Sequence, residues 1–184
     1  MSNKTKGREK LLRLCFAGMF AALIFVATYL IQIPAPLGGY LNLGDCFILI
    51  AAWVLGPVYG FAAGGLGSAL ADIVSGYAVY APGTFVIKGL IAAAASLIAH
   101  AFVKKNEKLR VPGFISGAVA GELIMIAGYY LYDAAVLGFG FIATLANLPS
   151  NLIQGAVGAV LGVAISVVIA QTKALKGLFD PYVT

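Results

Sequence analysis

The twelve Lys and Arg residues of this chain are distributed so unevenly that they restrict what it can fold into. Lys4, Lys6, Arg8, Lys10 and Arg13 open the sequence, Lys104, Lys105, Lys108 and Arg110 stand in the middle, and Lys173 and Lys176 come near the end. Long apolar stretches run between these clusters. Of the 184 residues, 61% are hydrophobic and 10% charged, against about 45–50% and about 25% in ordinary soluble domains. No water-soluble core hides that much apolar surface, so the expected solvent is lipid. The net charge of +5 then calls for no nucleic-acid partner, because cytoplasmic loops of membrane proteins collect Lys and Arg. Lys88 is the exception. It lies alone in a segment that has to cross the bilayer, where an ammonium needs a partner, a cavity or a function.

A crossing helix needs about 20 apolar residues. The sequence predicts an all-α membrane protein forming one domain over residues 1–184, with spans near 11–33, 45–55, 58–76, 84–103, 113–132 and 145–170. Pro34 and Pro36 end the first span. Gly56-Pro57 divides the second apolar stretch into two short helices, since proline removes a donor and disfavours helix at the preceding residue. Pro82 suits the first turn of the fourth span. Six spans put both termini and the central basic loop on one side, and the absence of Lys and Arg from the three opposite loops makes that side cytoplasmic. The basic start followed by an apolar segment resembles a signal peptide, but the segment is long and lacks a small-x-small cleavage site, so it reads as a retained span. Cys15 and Cys46 are expected near opposite ends of the lipid region and do not pair.

Small residues recur at helical spacing. Gly60, Gly64, Ser68, Ala71 and Asp72 share one face of the third span, and Gly155, Gly158 and Gly162 one face of the sixth, a pattern that lets membrane helices approach closely. Ala17 and Ala21, flanked by Gly18 and Ala22, stand four apart in the first span. Spacing alone fits internal packing or a docking groove for another subunit.

Few polar side chains interrupt the spans. Lys88 lies about 9 Å along its helix from Pro82, and Asp72 about 7 Å from Tyr77, at 1.5 Å per residue. Their antiparallel spans allow a structural Asp72–Lys88 ion pair, and a ligand-binding role for Lys88 stands beside it. Glu122 sits mid-span, with Tyr129 and Asp133 on the same face, either bonded to a neighbouring helix or at the floor of a cavity. Asn147, Asn151 and Gln154 form a stripe of amides, which supply donors and acceptors either to other helices or to a neutral heteroaromatic ligand. Asp45 is placed to favour the positive end of its helix. Tyrosines concentrate toward the outer face, as an aromatic belt does, and Tyr40 and Tyr129 are the candidates for stacking on a ligand. The sequence has no Walker motif, no HExxH and no Ser-His-Asp arrangement, so no enzyme activity and no ATP hydrolysis is expected of the chain itself. It also lacks the run of buried carboxyls and histidines typical of a proton-driven carrier.

The stretch YLNLGDCFILIAAWVLGPVYGFAAGGLGSALADIVSGYAVYAPGTFVIKGL, residues 40–90, resembles the substrate-binding S components of energy-coupling factor (ECF) vitamin transporters, and so does NLPSNLIQGAVG over 147–158. The pattern LGD…LGPxxG…D…APGT…KG is similar to the group with riboflavin, pyridoxine and hydroxymethylpyrimidine S components. The resemblance implies a multi-pass protein of the bacterial plasma membrane that captures a small vitamin outside the cell, without a cofactor of its own. It would deliver the vitamin with a transmembrane T component and two ATPase subunits. It also implies a partner-docking role for Ala17 and Ala21, and a ligand site near the outer face that includes Tyr40, Lys88, Glu122, Tyr129, Asn147, Asn151 and Gln154. Pyridoxine or hydroxymethylpyrimidine is favoured over riboflavin, because the outer loops are short. A self-sufficient ion-coupled carrier and a ligand-free assembly protein are the rival readings.

Overall fold

Gly56 sets the architecture of the middle of the chain. In the computed structural model, which describes residues 3–172 and so leaves Lys173 and Lys176 outside the described residues, Gly56 takes φ 88° and ψ 177° inside a 31-residue element. That conformation belongs to glycine, and Pro57 cannot donate the hydrogen bond that would carry a straight helix through. The absent side chains of Gly60 and Gly64 face Ala52 and Ile48, which lie equally far from Gly56 on its other side. The two halves of the element therefore fold back to back, where the sequence predicts the break.

The chain begins with α1 (Asn3–Leu30). A short hairpin follows, β1 (Ile33–Pro34) pairing antiparallel with β2 (Tyr40–Leu41), so that Ile33 faces Leu41 and Pro34 faces Tyr40. Then come the bent α2 (Gly44–Val74) and α3 (Ala81–Lys105). Next is α4 (Arg110–Leu131), which runs on into a π turn at Tyr132–Val136. A four-residue α5 (Phe141–Thr144) and a 3-10 turn, Leu145–Asn147, lead into α6 (Leu148–Gln171). Five of these segments are long and apolar enough to cross a membrane: Lys10–Leu30, Gly44–Val74, Ala81–Lys105, Glu107–Val136 and Phe141–Gln171. The difference from the six expected spans lies wholly in α2, one element by hydrogen bonding and two rods by geometry.

The first half of α2 is the axis of the bundle. Ile48, Leu49, Ala51 and Ala52 have no measurable exposure, and α1, α3 and α6 all pack on α2, with α4 closing the ring against α3 and α6. Trp53 donates its indole N–H to the Ala95 carbonyl at 3.2 Å and stacks on Phe114 with centroids 4.4 Å apart. Backbones approach closely wherever the small-residue faces meet. A side chain at Gly65 would lie 2.6 Å from the Phe85 carbonyl, and one at Gly117 2.6 Å from that of Ala95. Leu70, Val119, Leu123, Val160 and Val168 point outward and are more than half exposed, as residues facing acyl chains must be.

Candidate functional site

At the end of the bundle opposite the Lys-rich terminus of α3 is a cavity of about 480 Å³, including its mouth. One wall is the β1–β2 hairpin, with Gly39 and Tyr40; a second is the α2–α3 junction, with Asp72, Tyr77, Tyr80 and Thr84; the third joins Tyr129 and Asp133 to Asn147, Asn151 and Gln154. Gly38 and Gly39, at φ 109° and 74°, turn the hairpin so that Tyr40 points inward. Its hydroxyl donates to Asp72 Oδ1 at 2.7 Å. Burial above all, and then the Asp72 carboxyl, hold the Tyr40 phenol above its ordinary pKa, so it remains a donor at any physiological pH. Burial and the nearby Asp133 carboxyl act on Tyr80 in the same direction. The Tyr40 and Tyr77 rings lie 5.0 Å apart, and Thr84 shares a 3.0 Å hydrogen bond with the Tyr129 hydroxyl.

The amide stripe lies on the cavity wall, but much of its bonding capacity is engaged by the protein. Asn147 accepts from the Leu37 N–H at 3.0 Å and donates to Asp133 Oδ2 at 2.9 Å. Gln154 accepts from the Asn42 N–H at 2.9 Å and donates to Asp45 Oδ2 at 2.6 Å. The bonds from Leu37 and Asn42 fasten the first loop to α6 and to the turn before it. Asn151, half-buried on the same wall, has no hydrogen bond from its side chain to another described residue.

Lys88 corrects the expected ion pair with Asp72. It is 1% exposed, and its Nζ lies 2.5 Å from Asp45 Oδ1, not on Asp72. Helical rise placed Asp72 and Lys88 at matching depths but could not say which faces they present. Asp45 reaches Lys88 because α2 doubles back at Gly56 and carries its own start into the core. Asp45 does stand in the first turn of α2, at its positive end, but it is not the N-cap residue: Leu43 holds that position, without a side-chain bond, and the Asp45 side chain is buried inside the bundle. Lys88 also stops short of the cavity. Its ammonium sits 5.4 Å from the centroid of the Tyr129 ring, a cation–π distance, and Tyr129 forms the wall. Glu122 is likewise beneath the wall, buried against Gly155 and Gly158 of α6, and neither carboxyl oxygen has a hydrogen-bond partner among the described residues.

Of the first-span pair, Ala17 turns inward. Ala17 is 7% exposed in the core, and the Ala21 carbonyl packs under Gly67 of α2. Ala17 and the Ala21 backbone therefore serve the α1–α2 contact, while the Ala21 side chain is only half-buried. The neighbouring pair, Gly18 and Ala22, is exposed, with no atom within 4 Å of where a Gly18 side chain would start.

Residues 9–171 match the model of the ECF-type riboflavin transporter S component family. The chain belongs to that family. A protein of Pyrococcus woesei described as an uncharacterised protein in a gap 3′ region is 35% identical over 140 residues, 76% of this chain and 88% of the relative. The thiamine precursor transporter HmpT of Lactococcus lactis subsp. cremoris is 26% identical over 176 residues, 95% of this chain and 97% of its own. Among solved structures, the S component of a bacterial ECF transporter superposes with a TM-score of 0.62 at 23% identity, covering 88% of this chain and 96% of that one. That likeness speaks for the fold.

In this S component the structure brings Tyr40, Asp72, Tyr129, Asn147, Asn151 and Gln154 to one cavity and sets Lys88 and Glu122 below it. Sequence reasoning passed over Asn42, Tyr80 and Thr84 as wall residues. It noticed that Asp133 shares a face with Glu122 and Tyr129 but gave it no role, because the π turn that brings Asp133 to the wall has no signature in residue spacing.

Proposed function

We propose that this chain is the vitamin-capturing subunit of an ECF importer in the plasma membrane of a bacterial cell, crossing six times with both termini in the cytoplasm. The cavity carries this reading: a recess with tyrosine and amide walls at the end remote from Lys104 and Lys105, where a solute from outside would enter. A small nitrogen heterocycle is its ligand, a hydroxymethylpyrimidine or pyridoxine ahead of riboflavin. The name of the Lactococcus relative, whose match spans nearly both chains, supports that order. Delivery inward depends on a T component and two ATPase subunits.

Titration calorimetry of the detergent-purified protein with hydroxymethylpyrimidine, pyridoxine and riboflavin tests the capture step. One of them should bind, and Asn151→Leu should weaken it about tenfold by removing a hydrogen-bonding group from the wall. Absence of binding by all three, from folded protein, would reject the reading. Uptake should vanish in cells that lack the T component and ATPases. The rival, a carrier working alone, draws on Glu122, whose carboxyl is buried in α4 without a hydrogen bond to any described residue. Import driven by a proton gradient without those partners would favour it.

Docking is assigned to the exposed Gly18–Ala22 face of α1, since small residues permit close helix contact. The double substitution Gly18→Leu with Ala22→Leu should leave vitamin affinity within about twofold, surface changes away from buried features being mild. Uptake should fall at least about tenfold. A matched loss of binding would place this face in the fold instead.

A further inference from the structure

A second cavity lies at the other end of the bundle, where α3 gives way to α4. Its volume is about 310 Å³, including its mouth. Trp53, Ala99, Val103 and Phe114 supply most of its wall. The Trp53 N–H is already taken by the Ala95 carbonyl at 3.2 Å, so the indole offers the cavity carbon surface. Leu97 and Ile115, next in sequence to the wall residues Ser96 and Phe114, are 57% and 50% exposed. The cavity therefore borders the lipid-facing side of both helices. From Ser96 to Lys104 is about 12 Å along α3 at 1.5 Å per residue, and half the hydrocarbon slab is about 15 Å. Cations stand at the outer end of that length. Lys104, Lys105, Lys108 and Arg110 face a single carboxylate, Glu107, between residues 104 and 110. Arg110 lines the cavity and bridges to Glu107 at 3.4 Å. The three lysines are exposed, and Lys104 stands one turn beyond His100, another wall residue.

We propose that this cavity seats part of an acyl chain of an anionic phospholipid, whose headgroup phosphate is held by Lys104, Lys105 and Lys108. Walls of carbon favour a hydrocarbon chain over water, and lysines beside the bilayer attract anionic headgroups. Their long stems let the ammonium groups reach headgroup level while the cavity lies deeper. A soluble phosphate would meet the lysines but have no use for the aromatic wall. A zwitterionic lipid would fit the wall but gain little from four cations set against one carboxylate, because its own charges cancel. The proposed topology puts this end of the bundle in the cytoplasmic leaflet, whose surface potential is negative. The site is separate from the outer cavity and does not depend on what that cavity binds.

Trp53 is the single tryptophan and lies on the cavity wall, so its fluorescence reports the occupant directly. The full-length protein is reconstituted in phosphatidylcholine vesicles that contain a minor fraction of either phosphatidylglycerol or phosphatidylcholine with brominated acyl chains. Bromine quenches an indole only at close range, and a soluble anion carries none. Brominated phosphatidylglycerol should reach half-quenching at a mole fraction at least about tenfold lower than the brominated phosphatidylcholine, each lysine near an anionic surface being worth about a fivefold preference. Lys104→Gln with Lys108→Gln should remove most of that preference. Ala99→Leu, which fills the cavity, should abolish the quenching by both lipids, and Val103→Phe should do so if Ala99→Leu does not fold. Equal quenching of the unaltered protein by the two lipids would overturn the anionic headgroup. Undiminished quenching in a folded, cavity-filled variant would overturn the seat of the chain. Absence of quenching by either lipid would overturn the lipid site and leave the cavity to a protein partner.

Discussion

Lys88→Met should destabilise the folded protein by about 3–5 kcal/mol, the cost of leaving one member of a buried ion pair without its partner. Asp45 would then keep only the Gln154 amide as a hydrogen-bond partner. Both charges are almost wholly enclosed, so water cannot take the place of the ammonium. Unfolding followed in detergent through Trp53, the single tryptophan, should show the transition moving well below that of the parent protein, with loss of the monodisperse peak in gel filtration. The double variant Lys88→Met with Asp45→Asn should recover most of the loss. A neutral amide has little need of an ammonium, and its oxygen can still accept from Gln154. A Lys88→Met protein as stable as the parent would refute a structural ion pair. One that folds fully yet cannot bind would return Lys88 to the ligand.

The second large effect is expected at Gly65. A side chain there would start 2.6 Å from the Phe85 carbonyl oxygen and 2.9 Å from the Phe85 ring, so α2 and α3 would have to separate. Gly65→Val should cost about 3 kcal/mol or more, at the upper end for overpacking, because the nearest obstacle is backbone and cannot rotate away. Gly7→Val, where no atom lies within 4 Å, is the control and should change the unfolding temperature little. Equal behaviour of the two variants would mean that α2 and α3 are not packed as described.

Residue positions along the chain were legible in the sequence, and residue directions were not. Gly56-Pro57 announced the reversal in α2 because both residues act through local backbone geometry. Charge placement singled out Lys88, since an ammonium in an apolar helix is anomalous whatever surrounds it. Its partner was misread because Asp72 is near in the hairpin sense, while Asp45 becomes near only after the chain doubles back. The same gap separates Ala17 and Ala21 from Gly18 and Ala22. Both pairs have the spacing of four, and only the packing of α1 on α2 decides how much of each faces outward. In the cavity, the Asn147–Gln154 stripe was visible as periodicity. That the first loop already occupies two of its amides was not, because Leu37 and Asn42 donate backbone N–H groups that sequence does not distinguish. Asp133 reaches the wall through a π turn, which widens the helix by one residue without announcing itself in composition.

The half of α2 that starts at Gly44 and ends at Gly56 is about 20 Å long at 1.5 Å per residue, whereas the hydrocarbon slab is about 30 Å thick. A rod that short at the centre of the bundle leaves roughly one third of the depth unfilled. Lys88 lies about 10 Å along α3 from its start, and Asp45, at the tip of the short rod, meets it there. The missing third is therefore the recess itself, roofed by the β1–β2 hairpin dipping toward it. The helices around the recess are full-length and hold its rim while the central one stops beneath it. Adding a turn to the start of α2 would fill the recess with backbone, so the binding capacity of this protein is the complement of a helix that ends early.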